Sequence, residues 1–230
     1  MKGIIMMTLK DKNIIITGAS SGIGLSLTKQ LLEEGANIFA ISLDQIDMNN
    51  PHLHTYTCDL SKKDNIKASF KAAIKTMTSI DIYIANAGQA RYGYSKDLKD
   101  AEQNFLFDLN VKAVMQALDL MKGQYPSQAF TFVTLSSAMA YWPLPGYASY
   151  AASKAAITNF MKAYRYELPK NQKLILVYPV ATKTNFFKTS GQNHPAWMTQ
   201  TPDHVGKVIV KGIKKGKKDI YPSFLFRIIH

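Results

Sequence analysis

The 230-residue chain has one cysteine, three arginines, two tryptophans and no apolar run long enough to span a bilayer. A lone Cys58 excludes an intramolecular disulfide framework and any cysteine-based metal site, and it points to a reducing compartment, most simply the cytoplasm. His52 and His54 have no histidine or acidic partner at ligand spacing, so no metal is expected. The opening MKGIIMMTLKDK carries too short an apolar run for a signal-peptide core, and Met7 offers an alternative start. Acidic residues are also scarce, 16 against 28 basic ones, for a net charge of +12. Such a balance can serve a nucleic acid or a membrane. Here the cations are dispersed lysines, apart from Lys207, Lys211, Lys214, Lys215, Lys217 and Lys218, with no RNA-binding aromatic motif beside them. Solvated helix faces are the expected reading, and no nucleic-acid partner is expected.

What is present is an apolar core's worth of residues, 47% hydrophobic, in alternating patterns. Residues 13–17, 37–42, 54–58, 81–85, 129–135, 173–177 and 219–221 read as strands, several without a polar break, as strands buried on both faces do. Between them, residues 25–34, 61–77, 97–121, 147–168 and 203–215 read as helices, the last capped by Thr201 or Asp203. The alternation predicts α/β architecture: one doubly wound parallel sheet of about seven strands in one domain over 1–230, with helices on both faces. Residues 185–201 read as an irregular substrate loop or lid, and 224–230 as an apolar tail that packs or meets a subunit, with peripheral membrane contact as a minor alternative.

Between strand 13–17 and its helix lies Gly18-Ala19-Ser20-Ser21-Gly22-Ile23-Gly24. A strand, a glycine turn and a helix N-terminus form an anion site, because backbone N–H groups and the positive dipole end face the ligand while missing Cβ atoms admit a pyrophosphate. In such a sheet, ligands lie beyond the carboxyl ends of the strands. That edge collects Ser42, Asp59-Leu60, Asn86-Ala87-Gly88, Ser136-Ser137 and Pro179. Asp44, 20 residues after Gly24, is placed either to hold ribose hydroxyls or as a loop acid.

The spacing Tyr-x-x-x-Lys occurs three times, at Tyr92 and Lys96, Tyr150 and Lys154, and Tyr166 and Lys170. Only Tyr150 and Lys154 open a long helix, where i,i+4 spacing puts both on one face. There the ammonium is expected to lower the phenol's pKa, making Tyr150 a general acid at neutral pH.

These motifs together resemble the short-chain dehydrogenase/reductase family over essentially the whole chain. Thr17, Gly18, Gly22 and Gly24 meet its T-G-x-x-x-G-x-G motif, Asn86, Ala87 and Gly88 its N-A-G, and Ser137 stands 13 residues before Tyr150. The resemblance implies a Rossmann-type NAD(P)-binding fold and interconversion of a secondary alcohol and a ketone. It assigns proton transfer to Tyr150, substrate oxygen binding to Ser137, nicotinamide ribose binding to Lys154 and a water link to Asn110. It places Gly18, Ser20, Ser21, Gly22, Ile23 and Gly24 at the diphosphate. Ser42, Asp59 and Leu60 would then lie toward the adenosine, and Asn86, Ala87 and Gly88 by its ribose. Pro179 would be a further cofactor contact, and Thr184 would sit beside the nicotinamide carboxamide or the diphosphate.

Family members commonly form homodimers or homotetramers, here through the helices 97–121 and 147–168. Tyr92, Tyr94, Tyr141, Trp142, Phe186, Phe187 and Trp197 are candidates for a pocket taking an apolar substrate. The chain departs from the family at Val180, where glycine is usual, and at Ser42 and Leu43, where an acid or an arginine would choose between NAD(H) and NADP(H). That choice stays open. The alternative function is a catalytically idle NAD(P)-binding protein that senses redox state or contacts RNA or membrane.

Overall fold

The computed structural model describes residues 6–184 and 199–229. Phe186, Phe187, Trp197 and most of the expected 185–201 loop lie outside the described residues. Seven described strands are β1 (Asn13–Thr17), β2 (Asn37–Ser42), β3 (Leu53–Thr57), β4 (Ile82–Ala85), β5 (Thr131–Leu135), β6 (Lys173–Val177) and β7 (Asp219–Ile220). They join in one sheet ordered β3-β2-β1-β4-β5-β6-β7. Every pairing is parallel, with Ile14 opposite Ile38 on one side and Ile82 on the other. Helices α1 (Gly22–Glu33) and α6 (Pro202–Lys214) cover one face, while α2 (Lys63–Met77), α4 (Ala113–Gln124) and α5 (Ala148–Tyr164) cover the other. The central strands therefore have no wet side, and their isoleucines and valines run without alternation. Edge strand β3 is half exposed, which accommodates its His54 and Thr55.

Local chemistry ends the helices where the sheet requires it. Thr201 caps α6 by accepting the His204 N–H at 3.2 Å, and Pro202 follows in the first turn, where its missing N–H costs nothing. Gly35 closes α1 at φ +81°, a left-handed conformation suited to glycine. No helix among the described residues is long and apolar enough to cross a membrane.

One element differs from the sequence reading in a way that bears on the site. Residues 97–121 are not one helix but a 3-10 turn (Ser95–Asp97), α3 (Asp100–Phe107), a π-helical turn (Asp108–Lys112) and α4. Apolar periodicity cannot register a π turn, since the cause is tertiary. Asn110, 1% exposed, donates from Nδ2 to the Gln89 carbonyl at 2.9 Å and to Ser153 Oγ at 3.0 Å, and its Oδ1 accepts the Gln89 N–H at 3.0 Å. Those bonds hold the irregular turn against the loop after β4 and against α5. The tail also differs: residues Phe224–Ile229 form a short helix, α7.

Candidate active site

The strand order reverses between β1 and β4, so the chain leaves these neighbours in opposite directions and opens a crevice at their carboxyl ends. Two side chains lock the edges of that crevice. Thr17 Oγ1 accepts the N–H groups of Asn86 and Ala87 at 3.0 and 2.9 Å, and Asn86 Nδ2 donates to the carbonyls of Thr17 and Gly18 at 2.9 and 3.0 Å. Glycine is required in the turn for two different reasons. Gly22 holds φ +56°, and a Cβ on Gly24 would lie 2.0 Å from the Gly18 carbonyl oxygen. At the start of α1, Ser21 makes no side-chain capping bond and the first turn holds no acid. Ser21 therefore supplies no side-chain acceptor to the leading N–H groups of this helix, whose Gly22 and Ile23 line the crevice.

From the other side, β5 delivers two serines with different orientations. Ser136 Oγ turns to α5, 2.6 Å from Thr158 Oγ1. Ser137 Oγ accepts the Met139 N–H at 3.1 Å and shares a hydrogen bond with the Tyr150 phenol. Tyr150 and Lys154 occupy the first turns of α5 and are both buried, at 4% and 5% exposure. Lys154 Nζ donates to the Leu135 carbonyl at 2.8 Å and stands 5.9 Å from the centre of the Tyr150 ring. Gly88 leaves room for it, since a Cβ there would come within 3.4 Å of Nζ and 3.0 Å of Asn110 Oδ1.

Burial governs the charges. It raises the Tyr150 phenol to about 12, more than the Ser137 hydrogen bond lowers it, with a further rise from Tyr147. Burial also lowers the Lys154 ammonium to about 8. The expected depression of the phenol by the lysine is therefore absent from the ligand-free protein. The reason is burial, which disfavours the charged form of both groups.

All of this borders one cleft of about 970 Å³. Gly18, Ser20, Ser21, Gly22, Ile23, Ser42, Asp59, Leu60, Asn86, Ala87, Gly88, Ser137, Tyr150, Lys154, Pro179 and Thr184 line it. Gly24 sits behind the turn and Asn110 behind Gly88, each supporting the wall from outside. Among the aromatic pocket candidates, Trp142 lines the cleft but Tyr92, Tyr94 and Tyr141 do not. Tyr92 packs edge-on to Tyr147, with ring centres 5.3 Å apart, over Gly146, where any Cβ would strike its ring. Tyr94 is 61% exposed. Tyr141 turns to the far side, giving its hydroxyl hydrogen to Tyr178 at 3.1 Å and taking one from Lys162 at 2.6 Å. Their aromatic character signalled an apolar site, but loop geometry uses Tyr92 and Tyr141 as packing and leaves Tyr94 exposed.

The cleft instead takes Phe105 from α3, Leu109 from the π turn, and Leu225 and Phe226 from α7. The apolar character of residues 224–230 was the signal for the latter pair, without indicating which surface they would cover.

Comparison with known proteins agrees with this geometry. An uncharacterized oxidoreductase of Listeria monocytogenes is 27% identical over 228 residues, covering 90% of this chain and 92% of its own length. Two crystal structures superpose closely. A short chain dehydrogenase/reductase from Burkholderia phymatum in complex with NAD has a TM-score of 0.85 at 16% identity, covering 97% of this chain and 93% of its own. A short chain dehydrogenase from Burkholderia cenocepacia in complex with NADP has a TM-score of 0.84 at 21% identity, covering 97% and 92%. The family model described as short chain dehydrogenase matches residues 12–195, a span that runs from β1 past Thr184 and takes in the glycine turn, Asn110, Ser137, Tyr150 and Lys154. With four-fifths of its length matched, the chain belongs to the short-chain dehydrogenase family.

Proposed function

We propose that the protein is an NAD(P)-dependent oxidoreductase that interconverts a secondary alcohol and a ketone, with Tyr150 as general acid and base. The observation that carries this reading is the convergence of Ser137, Tyr150 and Lys154 on the cleft that also receives the side-chain-uncapped N-terminus of α1. The residues present suit a dinucleotide. The α1 N–H groups suit a diphosphate, the backbone at Gly18 and Gly22 borders the same cleft, and Lys154 presents an ammonium to ribose hydroxyls. The bound nicotinamide supplies or accepts the hydride. Both charged side chains toward the adenosine end, Asp44 and Asp59, are carboxylates, and no described cation lines the cleft there. That charge pattern favours NAD(H), because a 2′-phosphate would meet like charge.

The chain's own residues would handle the proton. With its phenol near 12, Tyr150 is neutral at physiological pH, the form that donates to a carbonyl oxygen. Ser137 already bonds the phenol and would share the same substrate oxygen, orienting it within reach of the proton. Lys154, near 8, is mostly protonated at pH 7, so that its charge offsets the phenolate left after transfer. Asn110 has both amide hydrogens engaged, which suits a role in fixing the Lys154 region through Gln89 and Ser153. Apolar walls at Phe105, Leu109, Met139 and Phe226 favour an apolar substrate.

Titration of the purified protein with NADH and NADPH, followed by turnover of Tyr150→Phe, tests the reading. Cofactor binding should persist in the variant, while turnover falls by about 10²–10⁴-fold, the usual share of general acid–base catalysis. Full turnover by Tyr150→Phe refutes the role of the phenol.

A further inference from the structure

We infer that the cleft takes a substrate with an extended, uncharged alkyl chain, and that helix α7, through Leu225, is the wall that sets the preferred chain length. This inference rests on the oxidoreductase reading above and adds a substrate shape to it. The family model ends at residue 195, so α7 lies in a part of the chain that the family pattern does not describe.

Three observations carry it. First, α7 is pinned over the cleft. Phe226, 2% exposed, meets Trp142 edge-on with ring centres 5.0 Å apart and Tyr221 at 5.9 Å. The turn is closed by Ser223, whose carbonyl accepts the Arg227 N–H at 3.1 Å and whose Oγ accepts the Phe226 N–H at 3.3 Å. Second, the cleft's apolar lining does not stop inside the protein. Trp142, Leu144 and Leu225 all line it, yet they are 44%, 44% and 67% exposed. Single exposed apolar side chains are ordinary, but three continuing one cleft to the surface form an apolar path that no described residue covers.

Third, the charge is at the other end. The cleft-lining carboxylates are Asp44 and Asp59, beside β2 and β3, and no described charged side chain lines the rim formed by Trp142, Leu144 and Leu225. A small ketone would be served by the buried walls alone. A chain reaching the rim would bury further methylenes, each contributing about 0.8 kcal/mol.

The test is initial-rate reduction of 2-butanone, 2-hexanone, 2-octanone and 2-decanone, with dihydroxyacetone as a polar control, using whichever of NADH or NADPH binds. For the wild type, kcat/KM should rise up to about fourfold per added CH2, the equivalent of that burial energy. In Leu225→Asp, a carboxylate would line the path. The decanone-to-butanone ratio of kcat/KM should then fall at least about tenfold, with Leu225→Ala between the two. An unchanged ratio in Leu225→Asp, a wild type preferring butanone or dihydroxyacetone, or cofactor binding without reduction of any ketone overturns the inference. Failure to bind either cofactor would refute the oxidoreductase reading itself, which keeps the two failures apart.

Discussion

Replacing Lys154 by methionine is expected to stabilise the cofactor-free protein while removing its chemistry. The ammonium is 5% exposed, and burial lowers its pKa from 10.5 to about 8. That fall corresponds to about 3 kcal/mol of folding free energy given up at neutral pH. Methionine fills a similar volume without charge, but it leaves the Leu135 carbonyl without its 2.8 Å donor, a loss of about 1 kcal/mol. The net gain of about 2 kcal/mol should raise Tm by about 4–8 °C for a chain of this size. The sign with pH is fixed by linkage. Between about pH 8 and 10.5 the unfolded chain binds a proton that native Lys154 has released, so wild-type stability recovers as pH rises through that window. The advantage of Lys154→Met should therefore be full below pH 8 and fade toward pH 10.5. Groups common to both proteins cancel in the difference. Paired thermal unfolding at pH 7, 8, 9 and 10, without cofactor, measures it. A difference in Tm that stays constant across that range, or a variant less stable than the wild type at pH 7, would refute the account.

Two further outcomes follow from the site. Asn110→Leu should destabilise the fold by about 2–4 kcal/mol, because the Gln89 N–H and carbonyl and the Ser153 hydroxyl all lose a buried partner, and urea unfolding would measure this. NADH should bind more tightly than NADPH, by about tenfold, and Asp44→Asn should narrow the gap; quenching of protein fluorescence on titration reads both.

Much of this molecule was legible in one dimension. Uninterrupted apolar runs bounded by turns placed the strands, and the choice of Thr201 or Asp203 as cap placed the start of α6 to within two residues, because burial on both sheet faces and helix capping act within a few residues. The glycine turn and the spacing of Ser137, Tyr150 and Lys154 were readable for the same reason: each is a short-range constraint on backbone or helix face. Tertiary structure decided what depends on residues far apart in sequence. The π turn at Asn110 is held by Gln89 and Ser153, and only the fold brings these three together. The phenol rises to about 12 because surrounding elements desolvate it, which no local spacing reveals. Tyr92 and Tyr141 became packing while Leu225 and Phe226 became cleft walls, since orientation of a loop or tail is set by what it packs against. The grouping of Ser137, Tyr150 and Lys154 was thus written in the sequence, and the shape of the space around it was settled by packing.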